Sequence, residues 1–167
     1  MKTVVVLLFL VMAQASAAQT AEYRGVRYKV SGEGKALPAG TTNLGGTLIG
    51  NIEQRPLWGI AQVTKGRTQM LWLEKATAED ETGVTEWQIS DVLMFPNFPK
   101  SHELLFGGGP MPCTISGRPA GDTLVVHARF DARRERYATI AAWKASAKSG
   151  RFTSVRPAAV KCLYETP

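Results

Sequence analysis

Thr-Gln-Met-Leu-Trp-Leu-Glu-Lys at residues 68–75 and Thr-Glu-Trp-Gln-Ile-Ser-Asp-Val-Leu-Met-Phe at residues 85–95 flank an acidic stretch, residues 78–83, that ends in Gly83. Apolar and aromatic side chains fill both arms, and the charged connection has the polarity of an exposed tip. The pair reads as a β-hairpin. In the second arm, strict alternation puts Trp87, Ile89, Leu93 and Phe95 on one face together with Asp91. Gln88, Ser90, Val92 and Met94 fall on the other.

Upstream of the hairpin, Val26, Tyr28 and Val30 alternate with Arg27, Lys29 and Ser31, the period of a half-buried strand with a basic outer face. Residues 32–46 hold five glycines and Pro38 and read as a loop or irregular connection. Residues 48–52 and 58–63 are candidate strands around a turn at Arg55-Pro56, and Lys65-Gly66 makes the next turn. Downstream, residues 96–112 contain four prolines and the run Gly107-Gly108-Gly109. This is a long crossover in which only residues 103–106 have the pattern to pair. Residues 123–131 alternate again, with Leu124, Val126, Ala128 and Phe130 opposed to Val125, His127, Arg129 and Asp131.

Residues 136–147 are open between two periods. Alanines and a stripe of Tyr137, Ile140, Ala141, Lys144 and Ala147 fit a helix. Tyr137, Thr139, Ala141 and Trp143 on one face fit a strand, and Lys148-Ser149-Gly150 then turns the chain into residues 151–156. The turn favours the strand. The expected fold is mainly β, an antiparallel meander or partly closed barrel or sandwich, with one helix toward the C-terminus as the alternative.

Residues 1–18 have a different character. Met-Lys-Thr precedes nine apolar residues, 4–12, and then Ala-Gln-Ala-Ser-Ala-Ala, the layout of a signal peptide cleaved after Ala17 or Ala18. Nine apolar residues fall well short of the roughly 20 that span a bilayer. The expected organisation is a cleaved leader at 1–18 and one domain at 19–167, periplasmic or secreted. Cys113 and Cys162 are the two cysteines, and export makes them one disulfide. Closing that loop is worth about 4 kcal/mol in the chain-entropy account.

Charge is unevenly placed. Residues 19–117 carry 9 basic and 10 acidic groups, whereas residues 118–167 carry 10 basic and 4 acidic, a net of +6. Arg133, Arg134 and Arg136 cluster at an expected turn and form the candidate anion-binding group, since guanidinium forks pair with carboxylate or phosphate. The fitting partners are an anionic envelope polymer, a lipid headgroup or an acidic protein, with nucleic acid disfavoured outside the cytosol.

Residues suited to other chemistry are scattered. His102 and His127 lack the spacing of a metal motif. Glu79, Asp80 and Glu81 lack the alternation of a calcium loop and read as a solvated tip. No nucleophile elbow, phosphate loop or cofactor motif is present, so no catalytic, metal or cofactor-binding residue is assigned. The tryptophans Trp58, Trp72, Trp87 and Trp143 read as core. The expected function is a non-enzymatic binding or accessory protein. Two alternatives are a hydrolase built on distant carboxylates among Glu74, Glu86, Asp91 and Glu103, and a barrel-like carrier of a small apolar ligand.

Three pieces together, Trp87 with Asp91-Val92-Leu93, Cys113-Thr114 with Gly117-Arg118-Pro119, and Ala142-Trp143 with Gly150-Arg151-Phe152 and Cys162, resemble a set of small uncharacterised exported proteins of Gram-negative bacteria. The resemblance implies a periplasmic setting and a paired Cys113–Cys162. It carries no established activity and no functional residue.

Overall fold

The computed structural model describes residues 20–31, 34–51, 53, 55–108, 113–134 and 136–163; the signal-peptide reading of residues 1–18 lies outside the described residues. The described chain is mainly β, and every strand pairing in it is antiparallel. The hairpin of residues 68–95 forms as β5 (Thr68–Glu79) and β6 (Thr85–Phe95), joined by a tip that Asp80 organises. Asp80 Oδ1 accepts hydrogen bonds from the Thr82 hydroxyl at 2.6 Å and from the Thr82 and Val84 amides at 3.0 Å. Led by the Thr82 hydroxyl bond, these contacts lower the Asp80 pKa. The acidic stretch is therefore a self-capped turn.

Around the hairpin a six-stranded sheet assembles in the order β2-β1-β6-β5-β4-β3, with β1 (Arg27–Ser31), β2 (Gly34–Ala36), β3 (Thr42–Ile49) and β4 (Trp58–Lys65). It curls into a half-barrel. A second sheet runs β12-β11-β10-β7, from β7 (His102–Phe106), β10 (Leu124–Asp131), β11 (Arg136–Ser146) and β12 (Arg151–Val155). A small third sheet, β13-β8-β9, comprises β8 (Cys113–Ile115), β9 (Arg118–Pro119) and β13 (Val160–Cys162). The 136–147 segment is thus a strand. Gly150, at φ 63°, supplies the left-handed position that the β11–β12 turn requires.

Three apolar clusters hold these layers. Inside the curl, Tyr23 and Tyr28 close over Val63, Met70, Trp72, Ile89 and Val92. Between the first and second sheets lie Ile60, Leu71, Leu73, Leu104, Val125 and Ala145. Behind the second sheet, Leu105, Leu124, Val126, Ala128 and Ala142 pack on the Cys113–Cys162 disulfide, whose residues pair directly across β8 and β13. Strand β5 is buried on both faces, which explains its nearly continuous apolar run.

Three expectations change. The face assignment in residues 85–95 fails at Ser90, because a β-bulge leaves Ser90 without a partner between Ile89↔Glu74 and Asp91↔Leu73. Trp87 and Ile89 consequently share the curl interior with Val92 and Met94, while Leu93 and Phe95 turn to the second sheet. Ile140 is the extra residue of a second bulge, so Tyr137 and Trp143 fall on opposite sides of β11. Finally, the glycine-rich segment 32–46 contains strand. Gly46 is there because β3 runs tight against β4: a Cβ on it would lie 2.3 Å from the Ile60 carbonyl oxygen.

Asp91 joins the sheets. Its Oδ1 accepts from Arg24 Nε at 3.0 Å and its Oδ2 from the Phe152 amide at 2.9 Å. One buried carboxylate thus ties the N-terminal turn, β6 and the edge strand β12 together.

Candidate cationic surface

The three arginines singled out in the sequence come together on the β10–β11 hairpin tip. Asp131 fixes the turn: its Oδ1 accepts the Arg133 amide at 3.1 Å and its backbone carbonyl accepts the Arg134 amide at 3.1 Å. Arg133 and Arg134 occupy the turn, and Arg136 opens β11 opposite Asp131. All three side chains are exposed.

The tip is one part of a larger imbalance. All ten cations of residues 118–167 are exposed. Among the described residues only Arg134 has an ion-pair partner, Asp131, at 3.9 Å. Of the nine cations in residues 19–117, four have ion-pair partners among the described residues. Arg24 pairs with Asp91, Arg27 with Glu86, Arg55 with Glu79 and Lys65 with Glu22. The positive excess of the last third is therefore exposed and, apart from Arg134, without ion-pair partners among the described residues.

The histidines, read separately in the sequence, meet at the same end of the second sheet. His102 Nδ1 and His127 Nε2 lie 2.9 Å apart, so one ring donates and the other accepts. Phe98 packs on both rings, with centroids 6.1 Å from His102 and 5.0 Å from His127, and Phe95 sits 5.6 Å from His127 and 5.5 Å from Trp143. This aromatic clamp pins the loop 96–101 against the sheets. Burial, and after it the neighbouring His102, lowers the His127 pKa. Unfolded histidine titrates near pH 6.5, so below that pH the unfolded chain binds more protons than the folded one. Stability is then complete above about pH 6.5 and falls as pH drops toward the depressed folded value. Urea midpoints measured from neutral to mildly acidic pH should show this loss, and His127→Gln should remove that part of the pH dependence. An unchanged profile in the variant would show that the clamp does not titrate with folding.

The carboxylates proposed for acid–base work are not brought together. Glu86 pairs in register with Ala78, four residues along β5 from Glu74, or about 13 Å. Glu86 bonds to Arg27 and Thr77, Asp91 to Arg24 and the Phe152 amide, and Glu103 to the Tyr137 hydroxyl. Glu74 is buried and accepts from the Tyr28 hydroxyl. Burial, followed by the Glu74 charge, holds that hydroxyl well above its ordinary pKa, so it stays a donor at neutral pH. Glu74 borders a shallow cleft of ≈ 240 Å³ that Trp87, Gly59 and Gly46 also line. The interior of the curl is filled: Trp72 is fully buried, with the Tyr23 and Tyr28 rings 5.6 and 5.9 Å away. Among the described residues no group of three or more metal-ligating side chains converges, and no helix is long and apolar enough to cross a membrane.

Family models, curated proteins and solved structures yield no match.

Sequence reasoning found the arginine tip because its three members are neighbours in the chain. It missed the histidine pair, whose members are 25 residues apart. The signal was faint but present. His102 opens β7, one residue ahead of the segment 103–106 expected to pair, and His127 sits on the strand that pairs with it.

Proposed function

We propose that this protein is an exported, non-enzymatic binding or accessory protein that meets an anionic surface of the cell envelope through the cations of its last third. The observation that carries the reading is the concentration of exposed cations in residues 118–167 with one carboxylate partner among the described residues. Unpaired like charges on one side of a small domain repel one another, and an opposing polyanion relieves that repulsion by releasing its own counterions. The Arg133–Arg134–Arg136 tip leads this contact, since its turn is fixed by Asp131 and its side chains project into solvent.

Export is supported by the leader-like segment at residues 1–18 and by the use of both cysteines in one disulfide. The resemblance to small exported Gram-negative proteins agrees with it. The filled interior of the curl gives less support to a carrier of apolar ligands, and the separated carboxylates give less to a hydrolase.

Sedimentation with phosphatidylglycerol vesicles and with phosphatidylcholine vesicles, each at low and high salt, tests the proposal. The expected result is retention on the anionic vesicles at low salt and release at high salt. Retention that ignores salt, or equal retention on both lipids, would overturn it. Salt-sensitive binding to an acidic polypeptide but not to vesicles would move the partner from envelope surface to protein.

A further inference from the structure

Where the first and second sheets meet, the loop that follows β6 and the β4–β5 turn enclose a groove of ≈ 370 Å³. Arg67 enters it from the turn and Lys100 from the loop, with Asn97, Gln69, Thr64 and Phe98 between them. Its wall carries two cations and no carboxylate. Neither Arg67 nor Lys100 has an ion-pair or hydrogen-bond partner among the described residues.

The neutral side chains add donors. Gln69 Oε1 accepts from Gln62 Nε2 at 3.1 Å, which leaves the Gln69 amino group without a partner among the described residues and free to donate. Asn97 holds a left-handed backbone, φ 53°, and its amide is unengaged among the described residues. The Thr64 hydroxyl, by contrast, is committed to the Thr68 carbonyl at 3.2 Å. Phe98 forms the apolar side, and the histidine clamp holds that ring in place. Strand β7 begins at His102 opposite Arg129, so the groove opens at the same end of the second sheet as the arginine tip.

We propose that this groove binds a phosphate monoester. Two cations lining one groove match a group that carries close to two negative charges at neutral pH, where a carboxylate or a phosphodiester carries one. Arg67 takes two oxygens with its guanidinium fork, Lys100 contributes a point charge, and the Gln69 and Asn97 amides complete the donor set. The Phe98 ring meets whatever carbon the ester bears. The inference rests on the anion-binding reading above and gives it a discrete pocket.

The experiment titrates full-length mature protein with glycerol 3-phosphate, and separately with acetate, following amide chemical shifts. Wild type should saturate with glycerol 3-phosphate, with shifts at residues 64–69 and 97–100, and bind acetate at least tenfold more weakly. Arg67→Ala with Lys100→Ala should weaken the phosphate ester at least tenfold, and both positions are exposed enough to leave the fold intact. Phosphatidic acid vesicles form the second arm. Loss of vesicle binding in the same double variant together with saturation by the free ester assigns both sources to the groove, and loss without binding of the free ester assigns the lipid headgroup. An unaffected double variant, or acetate binding as tightly as the ester, would overturn the proposal. Arg133→Ala, Arg134→Ala, Arg136→Ala keeps the two readings apart: weaker vesicle binding there, with a normal Arg67/Lys100 double variant, would leave the cationic surface standing and remove the groove.

Discussion

Replacing Trp72 with alanine should remove a large share of the protein's stability. Trp72 is fully buried at the centre of the curl, on the strand that both main clusters share, with Tyr23 and Tyr28 packed on its ring. Truncating a core tryptophan costs about 3–5 kcal/mol, against a total of about 5–15 for a typical domain. The cavity left behind lies beside the rings of Tyr23, in the N-terminal turn, and Tyr28, on β1, and among buried side chains of β4 and β6, so it has little freedom to collapse. Trp72→Phe should cost markedly less. The indole Nε1 has no hydrogen-bond partner among the described residues, so phenylalanine loses volume but also removes a buried, unsatisfied donor. Urea denaturation of the two variants measures both effects. A Trp72→Ala loss below about 1 kcal/mol would mean that the curl is not packed as described.

Cys113→Ser with Cys162→Ser is the second large effect. The cysteines are separated by 49 positions, and the loop they close contains β9 to β12, three of the four strands of the second sheet. Loop-closure entropy gives the bond about 4 kcal/mol. The cost has a location as well as a size. Strand β13 is only three residues long, and the disulfide is its covalent hold on β8 beside the cluster behind the second sheet. The double variant should therefore lose amide-exchange protection first at Val160 and Cys162 and later in β10 and β11, while β5 keeps its protection longest. Uniform loss across all three sheets would show that the bond stabilises the chain globally and does not anchor β13 locally.

Much of this fold is legible in the sequence because it is local. Period-two alternation located β1, β6 and β10, and turn residues located the β4–β5 and β11–β12 hairpins. Gly150 decided between helix and strand because it supplies a turn that a helix over 136–147 would not use. The bulges at Ser90 and Ile140 were not legible. An extra residue in a strand leaves no compositional mark, yet it reverses every face beyond it, which is why Trp87 and Phe95 were placed together. Strand β3 was legible only at its end, where the candidate 48–52 overlaps it, for a related reason: glycines that break a strand elsewhere are here required by the close approach of β4 at Gly46. The arginine tip was visible as three neighbours in the chain. Arg67 and Lys100 were not, because only the tertiary placement of a turn against a crossover loop brings them to one groove.

Spatial segregation of charge is the claim on which the functional account depends. Four cations of residues 19–117, Arg24, Arg27, Arg55 and Lys65, are matched by carboxylates, whereas Arg134 alone among the ten of the last third has such a partner among the described residues. Mere net charge would make every cation equivalent for binding a polyanion, whereas a defined surface would not. The direct measurement compares two triple variants of equal charge on phosphatidylglycerol vesicles at low salt. One removes the tip, Arg133→Ala, Arg134→Ala, Arg136→Ala; the other removes paired cations, Arg27→Ala, Arg55→Ala, Lys65→Ala, whose exposed ion pairs contribute little to stability. The account predicts that the tip variant loses at least tenfold in apparent affinity and has a shallower salt dependence, while the paired-cation variant stays within about threefold of wild type. Equal losses in the two variants, or no loss in either, would contradict it.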